Sequence, residues 1–208
     1  MLDLGLHLTD AFALLGISLA LCAGLLGLLT AWRGVDVQAS WVKLLTFIGF
    51  GLLWIPLGDA NLPVVAYVRG VTADLSITLV VLAVWQICRL ALGRPALPGQ
   101  EHMAVMAAVA VAALFLYPLA LGWGDWDAYR PGWGSWGMLL VLLALSSVCW
   151  VYGLRLLPAL VALALLAWSL GLMESGNLWD YVLDPWLSVL ALGFDLIKFV
   201  QTALERFR

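Results

Sequence analysis

The chain has 208 residues, 64% of them apolar, with 10 basic and 13 acidic residues and a formal net charge of −3. That polar content is too small to clothe a soluble globule, and with no basic block the chain lacks the electrostatic footprint of a nucleic-acid binder. Apolar runs recur from end to end, each long enough for ~30 Å of hydrocarbon, and they predict one integral membrane domain over residues 1–208.

The segment before the first run lacks the basic flank and small-residue cleavage site of a signal peptide, so that run is expected to be a permanent span. Taken in order, the apolar runs predict spans over 11–31, 42–60, 68–90, 103–122, 136–154, 157–173 and 186–204. The breakers fall between them, at Arg33-Gly34 and over 59–63, 93–99, 122–134 and 174–185. The fifth and sixth spans meet tightly at Arg155, and Pro158 suits the first turn of a helix, where its missing N–H is not needed. The expected fold is an all-α, polytopic transmembrane helical bundle of seven spans. The last span is the weakest, because Ser188, Asp195, Lys198, Thr202 and Glu205 fall near one face. The alternative is six spans plus a C-terminal amphipathic helix on the membrane surface.

Charge sets the orientation. In the seven-span arrangement Arg33, Lys43, Arg89, Arg94, Arg155, Lys198, Arg206 and Arg208 share one side, and Arg69 and Arg130 the other. The basic side is expected to be cytoplasmic, which places the N-terminus outside, periplasmic or extracellular, and the C-terminus inside. The lack of long tails or a targeting peptide favours a bacterial inner (cytoplasmic) membrane.

The 12 tryptophans are a heavy load for this length. Several flank the expected spans, where amphipathic rings prefer the headgroup level. The stretch from Gly122 to Trp136 alternates aromatics with glycines. Trp123, Trp126, Arg130, Trp133 and Trp136 are candidate interfacial contacts to a lipid headgroup or glycan. Gly16, Ala20, Gly24 and Gly27, with Gly49 and Gly51, are expected to let helices approach closely.

Polar residues at membrane depth are costly unless paired or hydrated, so they mark candidate sites. Asp74 lies near the outer end of the third run, five residues after Arg69. With Asp59, Thr72, Ser76 and Thr78 these residues form a candidate outward-facing polar pocket, alongside helix breaks expected at Pro56 and Pro118. Asp195 and Lys198, three apart on one helical face, are a candidate intramembrane pair.

No nucleophile–base constellation, phosphate-cradling glycine loop or metal-ligand spacing occurs. The three cysteines sit in apolar runs and read as small buried groups. No cofactor, metal or catalytic residue is expected. The partners expected are membrane lipids and another membrane protein. The leading expectation is a small membrane subunit that scaffolds or regulates a larger envelope or lipid- or glycan-handling complex. A transporter or lipid-binding protein with its pocket at Arg69 and Asp74 is the alternative, and an enzyme acting on a lipid-linked substrate ranks behind both.

Overall fold

The computed structural model describes residues 4–32, 36 and 38–206; Arg33 and Arg208, which enter the charge asymmetry, lie outside them. The described residues form α1 (Leu4–Ala31), α2 (Ser40–Leu53), α3 (Val64–Thr72), α4 (Ile77–Ala91), α5 (Gly99–Ala120), α6 (Trp136–Val151), α7 (Leu156–Ser169), α8 (Leu178–Val182) and α9 (Pro185–Arg206). A small hairpin, β1 (Pro56–Leu57) with β2 (Leu62–Pro63), and a 3₁₀ turn over Arg130–Gly132 complete the elements.

Three stretches are long and apolar enough to cross a membrane: Leu8–Ala31, Gly99–Ala120 and Pro185–Glu205. Four more helices are apolar but have only 14 to 16 residues, a rise of about 21–24 Å. They fall short of the hydrocarbon thickness unless turns extend them.

The helices depart from the expected runs in two places. The run 42–60 is helical only to Leu53, and its second half folds back as the hairpin. Pro56 lacks a ladder donor and opens the hairpin's first strand instead of kinking a helix. The run 68–90 is two helices, interrupted over 73–76. Pro118 lies in the last turn of α5, which still reaches Ala120.

Two compact units are distinguishable. The first comprises residues up to 75, 79–96 and 171–174. In it α1 packs on α2 and α3, around Ile17, Val65, Leu75 and Val80 at one level and Leu26, Leu29, Val42 and Leu90 at another. Gly16 matters here, because a Cβ would stand 2.9 Å from a Val80 methyl. Gly24, Gly27, Gly49 and Gly51 face open space, so the expected seam is used only at its start.

The second unit comprises 76–78, 97–170 and residues from 175 onward. In it α5 packs along α9 and α7, and α7 also meets α6 and α8. Its core holds Val105, Ala113, Leu160, Ala164, Leu187 and Ala191. The alanines among them, Ala113, Ala164 and Ala191, allow helices to approach closely, and close van der Waals packing is what associates helices in lipid.

Candidate functional site

Arg69 is held by three carboxylates within the first unit. Its Nε donates to Asp74 Oδ1 at 2.6 Å and its Nη2 to Asp74 Oδ2 at 3.3 Å, a two-pronged contact. Nη1 donates to Asp10 Oδ1 at 2.6 Å, and Nη2 also lies 3.0 Å from Glu174 Oε1. A guanidinium has five N–H donors in a fixed fork, and these contacts occupy most of them. The Asp74 side chain is 17% exposed and that of Glu174 is 55% exposed. The clamp is therefore largely buried at Asp74 and exposed at Glu174.

Local backbone explains how Asp74 gets there. The last turn of α3 closes with Ala73 N–H on the Arg69 carbonyl at 2.9 Å. Ala73 then adopts φ 56°, ψ −168°, a region that non-glycine residues rarely enter. That turn folds Asp74 back toward Arg69, five residues earlier, so the two meet across a helix end and not along a helix face.

The other members of the expected pocket are dispersed. Asp59 is exposed in the hairpin turn and is not among the ion-pair partners of Arg69. The Thr72 hydroxyl donates to Val68 O and Ala73 O, both 3.1 Å away. Thr78 is buried. Ser76 serves a different carboxylate: its N–H and its hydroxyl both donate to Asp184 Oδ2, at 3.0 and 2.5 Å.

Asp184 is buried and precedes α9, where its Oδ1 accepts from Leu187 N–H at 2.8 Å. It thus caps a helix N-terminus, where the peptide dipoles favour a negative group. The Ser188 hydroxyl returns to the Asp184 carbonyl at 2.7 Å. Further along α9, Asp195 and Lys198 form no ion pair within 4 Å. Lys198 is exposed, with its Nζ 5.9 Å from the centroid of the Phe194 ring. Three-residue spacing put these two on neighbouring turns, but their side chains do not close on each other.

The aromatic stretch from Gly122 to Trp136 is an ordered clasp within the second unit. Trp123, Trp126, Arg130, Trp133 and Trp136 are exposed, while the backbone between them is pinned. Tyr129 donates its hydroxyl to Asp180 Oδ2 at 2.5 Å, and the Ser175 hydroxyl reaches the same oxygen at 2.5 Å. Buried Asn177 donates to Tyr129 O at 3.1 Å, and its Oδ1 accepts from Trp179 N–H at 3.0 Å. The Trp179 indole N–H donates to Ala128 O at 3.0 Å. Burial, followed by the bond to Asp180, holds the Tyr129 phenol above its ordinary pKa.

Asp10, Glu174, Asp184, Asn177 and Asp180 were missed as partners from sequence. Asp10 lies inside α1 and the others in loops or near helix ends, and each has a partner remote in the chain. The usable signal was compositional: acidic residues gather at the ends of the expected spans, where unpaired backbone N–H groups need acceptors. Among the described residues no three His, Cys, Asp or Glu side chains are grouped to hold a metal ion. No family model, no curated protein and no solved structure matches this chain.

Proposed function

We propose that the chain is a small integral membrane subunit that scaffolds or regulates a larger envelope or lipid- or glycan-handling complex. The observation that carries this reading is the closure of Arg69 upon itself. With its donors engaged by Asp10, Asp74 and Glu174, the guanidinium fixes backbone and offers little to a phosphate or carboxylate ligand. Long exposed apolar faces, such as those carrying Val141, Leu143 and Val151 on α6, suit lipid and a partner's helices.

In this reading the seven apolar segments all cross a bacterial inner membrane. The short helices α2, α4, α6 and α7 reach the interfaces through their flanking turns. The N-terminus lies outside and the C-terminus in the cytoplasm. Extraction in a mild detergent with an affinity tag tests the assignment. A second membrane protein should co-purify in fixed proportion. Recovery of this chain alone, fully stable across mild detergents, would remove the support. Single cysteines replacing Arg94 and Arg155 should both resist an impermeant maleimide added from outside.

The broken helix favours a second reading. Irregular backbone at membrane depth occurs where it is buried or lines a hydrated cavity, and Asp74 sits at such a break. Under this reading the clamp opens during transport. Asp74→Asn would then abolish gradient-driven uptake while leaving the fold intact.

A further inference from the structure

The second unit contains a groove that the scaffold reading does not use. It runs between α5 and α6, and its mouth is flanked by Val111 and Phe115 on one side and Val141 and Leu145 on the other, all exposed. The α5 wall is shallow because Ala104, Ala107, Ala108 and Ala112 lie along it. The hydroxyl of Ser135 lines the outer end and already accepts from Met138 N–H at 3.2 Å. No charged side chain lines the groove. Its occupant inside the groove must therefore be hydrocarbon.

From Ala104 to Phe115 the groove follows about 17 Å of helix, and its volume is about 730 Å³. That length and volume accommodate an extended acyl chain laid along α5.

Charge identifies the end of that chain. Cys149 and Leu157 line the inner end, and Arg155 stands two residues from Leu157. Its guanidinium stacks 3.8 Å above the Trp150 ring, is exposed, and forms no ion pair within 4 Å among the described residues. The neighbouring carboxylate, Glu101, has its oxygens turned to the N–H groups of Arg155 and Leu156, at 2.7 and 3.0 Å. Neither Trp150 nor Arg155 lines the groove, but each lies within two residues of a lining residue in the chain, Cys149 and Leu157, and an exposed cation stacked on an indole there suits a phosphate joined to an acyl chain.

We infer that this groove binds an anionic phospholipid of the cytoplasmic leaflet, with one acyl chain between α5 and α6 and its phosphate at Arg155. This requires a membrane location and Arg155 on the inner side, but no partner subunit. The test uses the full chain in phosphatidylethanolamine vesicles doped with phosphatidylglycerol that carries a photoreactive diazirine midway along one acyl chain. Adducts should concentrate on residues 104–115 and 137–149. Ala108→Trp, which fills the slot, should lower the yield by about tenfold, and the milder Ala112→Leu should lower it less. Val189→Trp, on an exposed face of α9, should leave it unchanged. Arg155→Gln should reduce labelling by the phosphatidylglycerol probe severalfold, and by less for a phosphatidylcholine probe, whose choline already offsets the phosphate charge. Circular dichroism and gel filtration establish that each variant is folded. Adducts spread evenly over all exposed apolar faces, or a yield indifferent to both groove variants, would overturn the proposal.

Discussion

Asp184 Oδ2 accepts two bonds from Ser76, one from its backbone N–H at 3.0 Å and one from its hydroxyl at 2.5 Å. The other oxygen caps α9 through Leu187 N–H. Removing this carboxylate strands three donors in a buried place, and each stranded donor costs about 1–3 kcal/mol. The losses are not additive, so Asp184→Ala should destabilise by about 3 kcal/mol, or roughly 10 °C in thermal midpoint for a chain of this size. Ser76→Ala should cost less, because it removes one bond and leaves two. A midpoint for Asp184→Ala within 1 °C of the parent in detergent would show that the bonds are replaceable by water.

Around Arg69 the carboxylates should rank by burial. Asp74 makes the two-pronged contact and is the least exposed of the three, so Asp74→Ala should cost about 2–3 kcal/mol. Glu174 is the most exposed, and Glu174→Gln should cost no more than about 1 kcal/mol. Arg69→Gln leaves three carboxylates facing one another, and adding Asp74→Asn should recover part of that loss. Thermal denaturation of the single and double variants measures the coupling. Equal effects from Asp74 and Glu174 would contradict the ranking.

The apolar runs made the long helices legible: 11–31, 103–122 and 186–204 fall within or nearly within α1, α5 and α9. Hydropathy is blind to what happens inside a run. The segment from Val71 to Leu75 is apolar enough to pass for continuous helix, yet the chain turns at Ala73 because Asp74 must reach Arg69. The Arg69–Asp74 contact was legible from its spacing. Asp10 was not, since 59 residues separate it from Arg69. Asp195 and Lys198 show the converse error: spacing permits a contact, and rotamers decide whether it forms.

Ala73 offers a test by gain of stability. Its φ of 56° with ψ of −168° is readily populated only by glycine. The strain costs about 1–3 kcal/mol. Glycine relieves it and loses about 0.5–1 kcal/mol through the freer unfolded chain. Ala73→Gly should therefore raise the thermal midpoint by a few degrees, and Ala73→Val should lower it. A lower midpoint for the glycine variant would mean that the turn is not strained.

Gly132 should tolerate no side chain. A Cβ there would collide with Oδ1 of buried Asn177 and approach the Trp179 ring. Those are the residues that tie 128–129 to 177–179. Gly132→Ala should loosen the clasp, costing about 1–3 kcal/mol by overpacking. Accelerated amide exchange over 128–133 and 175–181 should report it. Gly137, where a Cβ meets open space, is the control, and Gly137→Ala should leave exchange unchanged.

The clasp should also respond to alkali. The Tyr129 phenol is held above its ordinary value of 10.0, first by burial and then by its bond to Asp180. The folded state therefore binds this proton more tightly than the unfolded chain does. The stability it contributes is fully present below pH 10 and is lost as pH rises through the elevated folded value. At neutral pH Tyr129→Phe should destabilise by about 1.5 kcal/mol, the scale of a hydrogen bond to a charged group. The gap between the parent and Tyr129→Phe should stay flat from pH 7 to 9 and narrow only above about pH 10. Phenolate absorbance gives an independent readout. The Tyr129 contribution, the difference in phenolate signal between folded parent and Tyr129→Phe, should appear at higher pH than that of the same phenol in the unfolded chain. A contribution appearing at the same pH in both states would remove the clasp's alkaline limit.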